Sequence, residues 1–176
     1  MVRHAPVRAT RLCYGQSNVA TRVDANRAAE SIETALRNRG AGPWDELWSS
    51  PWERTERVAT VLGARAGVPV RSDARLSELA FGEWEGIPYG EIEAHDRERF
   101  SEWARAYETV APPGGETADQ LLARVADWLS EIDASGRTVL AIAHAGTIRA
   151  ARAVRAGLRY SGVVHTRVEF LVPERI

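Results

Sequence analysis

Val139-Leu140-Ala141-Ile142-Ala143-His144-Ala145-Gly146-Thr147-Ile148-Arg149 is an apolar run that ends at a histidine and opens into a helical pattern. A short continuous apolar run bounded in this way reads as a strand buried on both faces, as a parallel sheet covered by helices requires. The spacing predicts a strand over 138–143 and a helix over 147–155. His144 then stands at the carboxyl end of the strand, where the N-terminus of the next helix points.

The same alternation recurs upstream. Residues 24–39 carry Ala, Glu and Arg at helical spacing and stop at Gly40-Ala41-Gly42-Pro43. Residues 44–49 form a second strand. A helix follows over 52–65, with Ser50 fitting an N-cap and Pro51 a first helical position. Val68-Pro69-Val70 begins a third strand toward Ser72. This β-α-β-α-β order predicts an α/β fold, a three-layer α/β/α arrangement around a mostly parallel central sheet.

The remaining segments add helices and connections to one domain spanning residues 1–176. Residues 91–107 read as one or two polar helices, with Phe100, Trp103 and Tyr107 forming a packing stripe. Pro112-Pro113-Gly114-Gly115 disfavours regular structure and can bring backbone N–H groups near a ligand. Thr117 is an N-cap for a helix over 118–133, and residues 166–172 are extended.

Composition removes several classes of function. Hydrophobic residues at 44% and charged residues at 27% fit a globular domain, and a net charge of −1 does not make a general nucleic-acid surface. No apolar run approaches a membrane span and no signal peptide is visible, so the cytoplasm is the expected compartment. All 23 basic residues are Arg, which rules out Schiff-base chemistry and a Walker-type P-loop, since both need Lys.

Cys13 is the single cysteine and has Val19 where a cysteine phosphatase needs its Arg, so it reads as a small, partly buried hydrophobe. The chain has no Asp-x-Asp for an aspartyl-phosphate route.

Met1-Val2-Arg3-His4-Ala5-Pro6 carries the chemistry that these exclusions leave. Arg3 offers a planar, permanently charged fork suited to phosphate oxygens, and a neutral His4 offers a ring-nitrogen lone pair to phosphorus. Three further segments follow in order: residues 48–59 with Arg54, residues 76–86 with Glu78, and the strand ending at His144. Ligand sites in open α/β sheets form beyond the carboxyl ends of the strands, so segments at such turns are expected to converge.

These four segments resemble those of the histidine phosphatase superfamily, also called the phosphoglycerate mutase-like family. Cys13-Tyr14-Gly15-Gln16-Ser17-Asn18, Phe81-Gly82-Glu83-Trp84-Glu85-Gly86 and residues 111–117 are further similar to the branch containing α-ribazole phosphatases. The resemblance implies a metal-independent phosphomonoesterase with His4 as nucleophile. Arg3, Arg54, His144 and Ala145 would bind the phosphoryl group. Glu78, placed before Phe-Gly, would be the general acid, protonated at the start through burial or the incoming phosphate charge.

The expected ligand is a small phosphorylated metabolite, with α-ribazole 5′-phosphate as the leading substrate. No cofactor, metal, nucleic acid or membrane is expected, and a homodimer is the one protein partnership considered.

Alternatives attach to particular residues. Arg57 could replace Arg54 as the clamp, Glu83 and Glu85 compete with Glu78, and Gln16 and Asn18 are further phosphate-binding candidates. A zinc site of His4, His144 and Glu78 lacks a recognisable two-ligand spacing. His95 and His165 fall outside the motifs and read as surface residues. A sugar or nucleotide phosphatase, a mutase and a non-catalytic phospholigand-binding protein are the alternative functions. Only Met1 and Val2 precede Arg3, and so short a central strand predicts fewer ladder hydrogen bonds behind Arg3 and His4.

Overall fold

The computed structural model describes residues 1–9 and 11–176. Four strands, β1 (Val2–Arg3), β2 (Glu46–Ser49), β3 (Val70–Ser72) and β4 (Val139–Ala143), form one sheet in the spatial order β1-β4-β2-β3. Every ladder in it is parallel. The helices are α1 (Ala25–Asn38), α2 (Glu53–Ala66), α3 (Tyr89–His95), α4 (Arg97–Ala106), α5 (Ala118–Ser135) and α6 (Ala145–Ala156).

The two-residue period of the strands explains the three layers. Leu47, Leu140 and Ile142 join Ile32 and Leu36 of α1 and Val58 and Leu62 of α2 in one core. Trp48 and Ala141 face the opposite way and join Leu121, Val125 and Trp128 of α5 with Ala150 and Ala151 of α6. Helices on both faces demand strands apolar on both faces, the pattern seen in residues 139–143. This is the expected α/β/α architecture.

Local chemistry sets the helix ends. Asp24 accepts the N–H of Arg27 at 2.9 Å to cap α1, and Thr117 and Gln120 form a reciprocal capping box at α5. The start of α2 departs from expectation. Trp52, and not Ser50, is its N-cap, and the orphan N–H of Glu53 donates to the side chain of Asn18 at 3.2 Å. A distant loop supplies the cap, which leaves the Ser50 hydroxyl for other partners. Helix α6 starts at Ala145, directly after His144 and earlier than the spacing predicts.

The first strand is short, at the end of the sheet order, and bonded along both sides. Val2 and Arg3 pair with Ile142 and Ala143, and His4 N–H reaches the Ala143 carbonyl at 3.1 Å. On the other side Leu171 N–H donates to the Arg3 carbonyl and Glu174 N–H to the Met1 carbonyl, each at 2.9 Å. The segment expected to be extended over 166–172 is thus not a regular strand. It makes a parallel bridge at Phe170 and an antiparallel one at Pro173, with Leu171 between them at φ 60°.

The stripe of Phe100, Trp103 and Tyr107 packs as expected. Trp84 lies against Phe100 and Trp103 with ring centroids 5.8 and 5.6 Å apart, and Phe81 meets Trp103 at 5.9 Å. The Pro-Pro-Gly-Gly loop locks the Phe-Gly run in place: Glu83 N–H donates to Pro113 at 2.8 Å and Glu116 N–H to Ala80 at 3.0 Å. Gly82, at φ 55°, lies so close to the backbone of Pro113 and Gly114 that no side chain fits there. Among the described residues, no helix is long and apolar enough to cross a membrane.

Candidate functional site

The carboxyl ends of β1 and β4 lie side by side, which places His4 and His144 together with ring centroids 5.2 Å apart. Both side chains are buried. Nδ1 of His4 meets the carbonyl of Ala5 at 2.7 Å. A carbonyl only accepts, so Nδ1 carries the hydrogen and Nε2 keeps a lone pair. Burial, and then the charge of Arg54, pushes the His4 pKa down to about 3, so the ring is neutral at neutral pH.

His144 is held in the other tautomer. Arg54 Nε, which only donates, reaches Nδ1 of His144 at 3.2 Å. Nε2 of His144 therefore carries the hydrogen and donates to Ser50 Oγ at 2.7 Å. Ser50 passes its own hydrogen to Thr55 Oγ1 at 2.7 Å, and Thr55 donates to the Trp52 carbonyl at 2.7 Å. Burial, followed by the charge of Arg54 and the proximity of His4, holds the His144 pKa well below its ordinary value.

Arg54 rises from the first turn of α2, and its remaining nitrogens donate to the carbonyls of Ser17 at 2.6 Å and Gly15 at 2.5 Å. Arg57, the alternative clamp, pairs with Glu53 at 3.0 Å on the exposed face of the same helix and points away. Arg3 Nη1 donates to the Val168 carbonyl at 2.9 Å, and its guanidinium lies 3.6 Å above the Phe170 ring. Its Nε is buried without an acceptor among the described residues. Burial works against the charges on Arg3 and Arg54, while nearby Tyr14 and Glu78 work in their favour.

Glu78 arrives on an irregular segment between two 3-10 turns, Ala74–Leu76 and Gly82–Trp84. One carboxylate oxygen accepts the N–H of Leu79 at 3.0 Å and the other that of Gly146 at 3.1 Å. The Glu78 carbonyl receives Gln16 Nε2 and Arg124 Nη2, each at 3.0 Å. Arg124 in turn pairs with Glu116 at 2.5 Å, whose Oε1 accepts the N–H of Ala80 at 3.1 Å. Ala145 opens α6, where first-turn N–H groups lack intrahelical acceptors.

The structure therefore brings Arg3, His4, Arg54, Glu78, His144 and Ala145 to one end of the sheet. The competing carboxylates have other partners. Glu85 is neither solvated nor free: its side chain accepts Gln16 N–H at 2.8 Å, Phe81 N–H at 3.2 Å and the Ser17 hydroxyl, pinning the first loop. Glu83 stands on the surface near Arg99 at 3.4 Å. Gln16 and Asn18 hold backbone at Glu78 and Glu53, and His95 and His165 are exposed.

Cys13 is fully buried, more deeply than its sequence context suggests, and burial raises its thiol pKa to about 12. No three His, Cys, Asp or Glu side chains among the described residues form a metal-binding group.

Sequence reasoning missed Ser50, Thr55, Tyr14, Phe170 and the Arg124–Glu116 pair. Ser50 carried a signal, but helix-start rules read it as a cap. Phe170 carried none, because it meets Arg3 only through the folded chain.

The profile of the histidine phosphatase superfamily (branch 1) matches residues 1–169. A glucosyl-3-phosphoglycerate phosphatase of Mycobacterium tuberculosis is 35% identical over 112 residues, covering 58% of this chain and 50% of the relative. The chain thus spans about half the length of that relative. The adenosylcobalamin/α-ribazole phosphatase of Escherichia coli K12 is 23% identical over 143 residues, covering 80% of this chain and 69% of that protein.

Among solved structures, an α-ribazole phosphatase from Shigella flexneri superposes with a TM-score of 0.85 at 22% identity, covering 97% of this chain and 85% of the other, a likeness of fold. A mycobacterial glucosyl-3-phosphoglycerate phosphatase in complex with VO3 gives 0.80 at 26% identity, covering 98% of this chain and 86% of that one.

Proposed function

The chain belongs to the histidine phosphatase superfamily, and from that membership we propose that it is a metal-independent phosphomonoesterase working through a phosphohistidine on His4. The observation that carries this reading is the hydrogen bond from His4 Nδ1 to the Ala5 carbonyl at 2.7 Å. It commits the ring hydrogen to the backbone and leaves Nε2 as a nucleophile that burial keeps unprotonated.

The Nε2 lone pair attacks phosphorus in line with the ester oxygen, forming an N–P bond as the P–O ester bond breaks. The departing oxygen keeps the bonding pair and takes a proton from Glu78. Each Glu78 oxygen accepts one backbone N–H and retains a lone pair, so either can carry that proton. In the second half, ionised Glu78 removes a proton from water, the water oxygen attacks phosphorus, and the N–P electrons return to Nε2. Arg3, Arg54 and the first turn of α6 with Ala145 hold the non-bridging oxygens as charge shifts among them, while His144, whose Nδ1 accepts from Arg54 Nε and whose N–H is given to Ser50, orients that guanidinium.

The substrate class is a small phosphorylated metabolite. α-Ribazole 5′-phosphate is supported by the resemblance of the first loop, the Phe-Gly-Glu-Trp-Glu-Gly run and residues 111–117 to the α-ribazole phosphatase branch. Glucosyl-3-phosphoglycerate is favoured by the higher identity to the mycobacterial enzyme.

Hydrolysis of a panel holding both compounds and simple phosphate esters, with EDTA present and His4→Ala as control, tests the reading. Turnover in EDTA that vanishes in His4→Ala, with label trapped on His4, supports it. Phosphate binding without hydrolysis of any ester, or label on His144, refutes it.

A further inference from the structure

Phe170 packs against both residues that β1 delivers. Its ring lies under the Arg3 guanidinium, with Cζ 3.6 Å from the centroid, and meets the His4 ring at 5.9 Å and 62°. We propose that Phe170 is a positioning residue for Arg3: face-on stacking holds the guanidinium plane while leaving its in-plane donors for phosphoryl oxygens. The proposal rests on the phosphatase reading above, in which Arg3 binds the phosphoryl group.

A guanidinium can be oriented in two ways. A carboxylate partner orients it by consuming N–H groups, the same groups a phosphate needs. An aromatic ring orients it through the π face, and every N–H lies in the perpendicular plane. Arg3 follows the second design. Nη1 is tied to the Val168 carbonyl, and Nε stays buried without an acceptor among the described residues. The guanidinium N–H groups not spent on Val168 or buried with Nε are the donors an anionic oxygen would meet.

The backbone around Phe170 supports its role. Phe170 bridges Arg3 in parallel, and Leu171 N–H donates to the Arg3 carbonyl at 2.9 Å. Leu171 is held at φ 60°, a left-handed conformation costly for a residue with a side chain and maintained only where neighbouring contacts over-determine it. The chain thereby passes from the parallel bridge at Phe170 to the antiparallel bridge at Pro173, both against β1. Without the ring, Arg3 is free to leave the plane it holds and to pair with Glu78 at the same end of the sheet. Such a pair would withdraw a phosphate donor and occupy the leaving-group acid together.

Phe170→Leu keeps apolar bulk and removes the π face, whereas Phe170→Tyr keeps the face. With p-nitrophenyl phosphate, Phe170→Leu is expected to lose about tenfold or more in kcat/KM, the loss of a desolvated cation–π contact. Phe170→Tyr should stay within about twofold of the parent, and both variants should melt near it. In an Arg3→Lys background the Phe170→Leu loss should shrink to about twofold, because an ammonium has no planar fork for the ring to orient.

Equal losses with Arg3 and with Lys, or a Phe170→Tyr variant as impaired as Phe170→Leu, would show a merely structural ring and overturn the proposal. If the parent hydrolyses no ester, the phosphatase reading fails by itself. Calorimetric binding of inorganic phosphate by the same variants then decides the role of Phe170, with the same ordering expected.

Discussion

Gly146 donates its backbone N–H to the Glu78 carboxylate at 3.1 Å, and that carboxylate fills the space where a side chain on Gly146 would stand. The two residues are 68 positions apart in sequence, yet the absence of one side chain makes room for the other. A helix position favours Ala over Gly by up to about 1 kcal/mol, less in the first turn of α6, where Gly146 stands. Gly146→Ala is therefore expected to preserve or raise the melting temperature while displacing Glu78. Misplacing a reacting group by about 1 Å costs roughly 100-fold, so kcat should fall by about that factor. Parallel melting and kinetic measurements check this, and a variant that loses stability and activity together contradicts it.

Among the described residues, Ser50 is the one side-chain partner of His144 Nε2, at 2.7 Å. Ser50→Ala leaves a buried ring N–H without an acceptor, a loss of about 1–3 kcal/mol. It also releases the tautomer that lets Nδ1 accept from Arg54. Nitrogen-15 NMR of labelled histidine should show His144 Nδ1 unprotonated in the parent and mixed in the variant. The kcat should fall by about tenfold, less than the roughly 100-fold or more lost with a group that itself moves the proton or meets the charge, because Ser50 acts only through His144. Unchanged nitrogen shifts in Ser50→Ala would show that Ser50 does not set the tautomer.

What the sequence made legible follows the geometry of the sheet. Arg3, His4, Arg54 and His144 lie at or just beyond the carboxyl ends of strands, so strand direction places them at the ligand-facing end, while the family resemblance supplied their roles. Glu78 sits on an irregular segment held by Gln16, Arg124 and Gly146 from three other parts of the chain, so only family resemblance could single it out. Ser50 shows how a local rule gives a wrong role. Ser before Pro is a sound helix-start signal, but Asn18 from the first loop takes the capping bond and frees Ser50 for His144. Phe170 has no local signal at all, because its meaning comes from the strand it covers.

Burial of neutral histidine gives the protein a particular acid sensitivity. The pKa of His4 is about 3 in the folded chain against 6.5 for an ordinary His, so between those values the unfolded chain binds a proton that the folded chain refuses. Stability is therefore full above about pH 6.5 and falls as pH drops, by up to about 1.4 kcal/mol per pH unit for this residue, until about pH 3. His144, depressed by the same burial, adds to the slope in the same direction. Urea unfolding from pH 7.5 to pH 4.5 measures it, and His4→Gln should flatten the curve. An equal slope in that variant would remove His4 as a cause. Because His4 stays neutral throughout, its titration should not set the acidic limb of kcat/KM.

Arg124 acts on Glu78 through the backbone. Its Nη2 donates to the Glu78 carbonyl at 3.0 Å and its Nη1 to the Arg75 carbonyl at 2.7 Å, while Glu116 fixes the guanidinium and accepts the N–H of Ala80. Two carbonyls on either side of the Leu76-Ser77 stretch thus hang on one side chain from α5. Arg124→Ala should cost about 1–3 kcal/mol of stability through the Arg75 carbonyl and the Glu116 carboxylate it leaves without their donor, the Glu78 carbonyl keeping Gln16. It should also lower kcat about tenfold as the Glu78 segment loosens. Phosphate affinity should change little, because Arg3 and Arg54 take their positions from β1 and α2. Glu116→Gln keeps an acceptor for Ala80 and should show a smaller loss of kcat. Kinetics paired with inorganic-phosphate inhibition separates these effects. If Arg124→Ala weakens phosphate inhibition as much as it lowers kcat, the guanidinium supports the anion pocket as a whole and not the Glu78 segment.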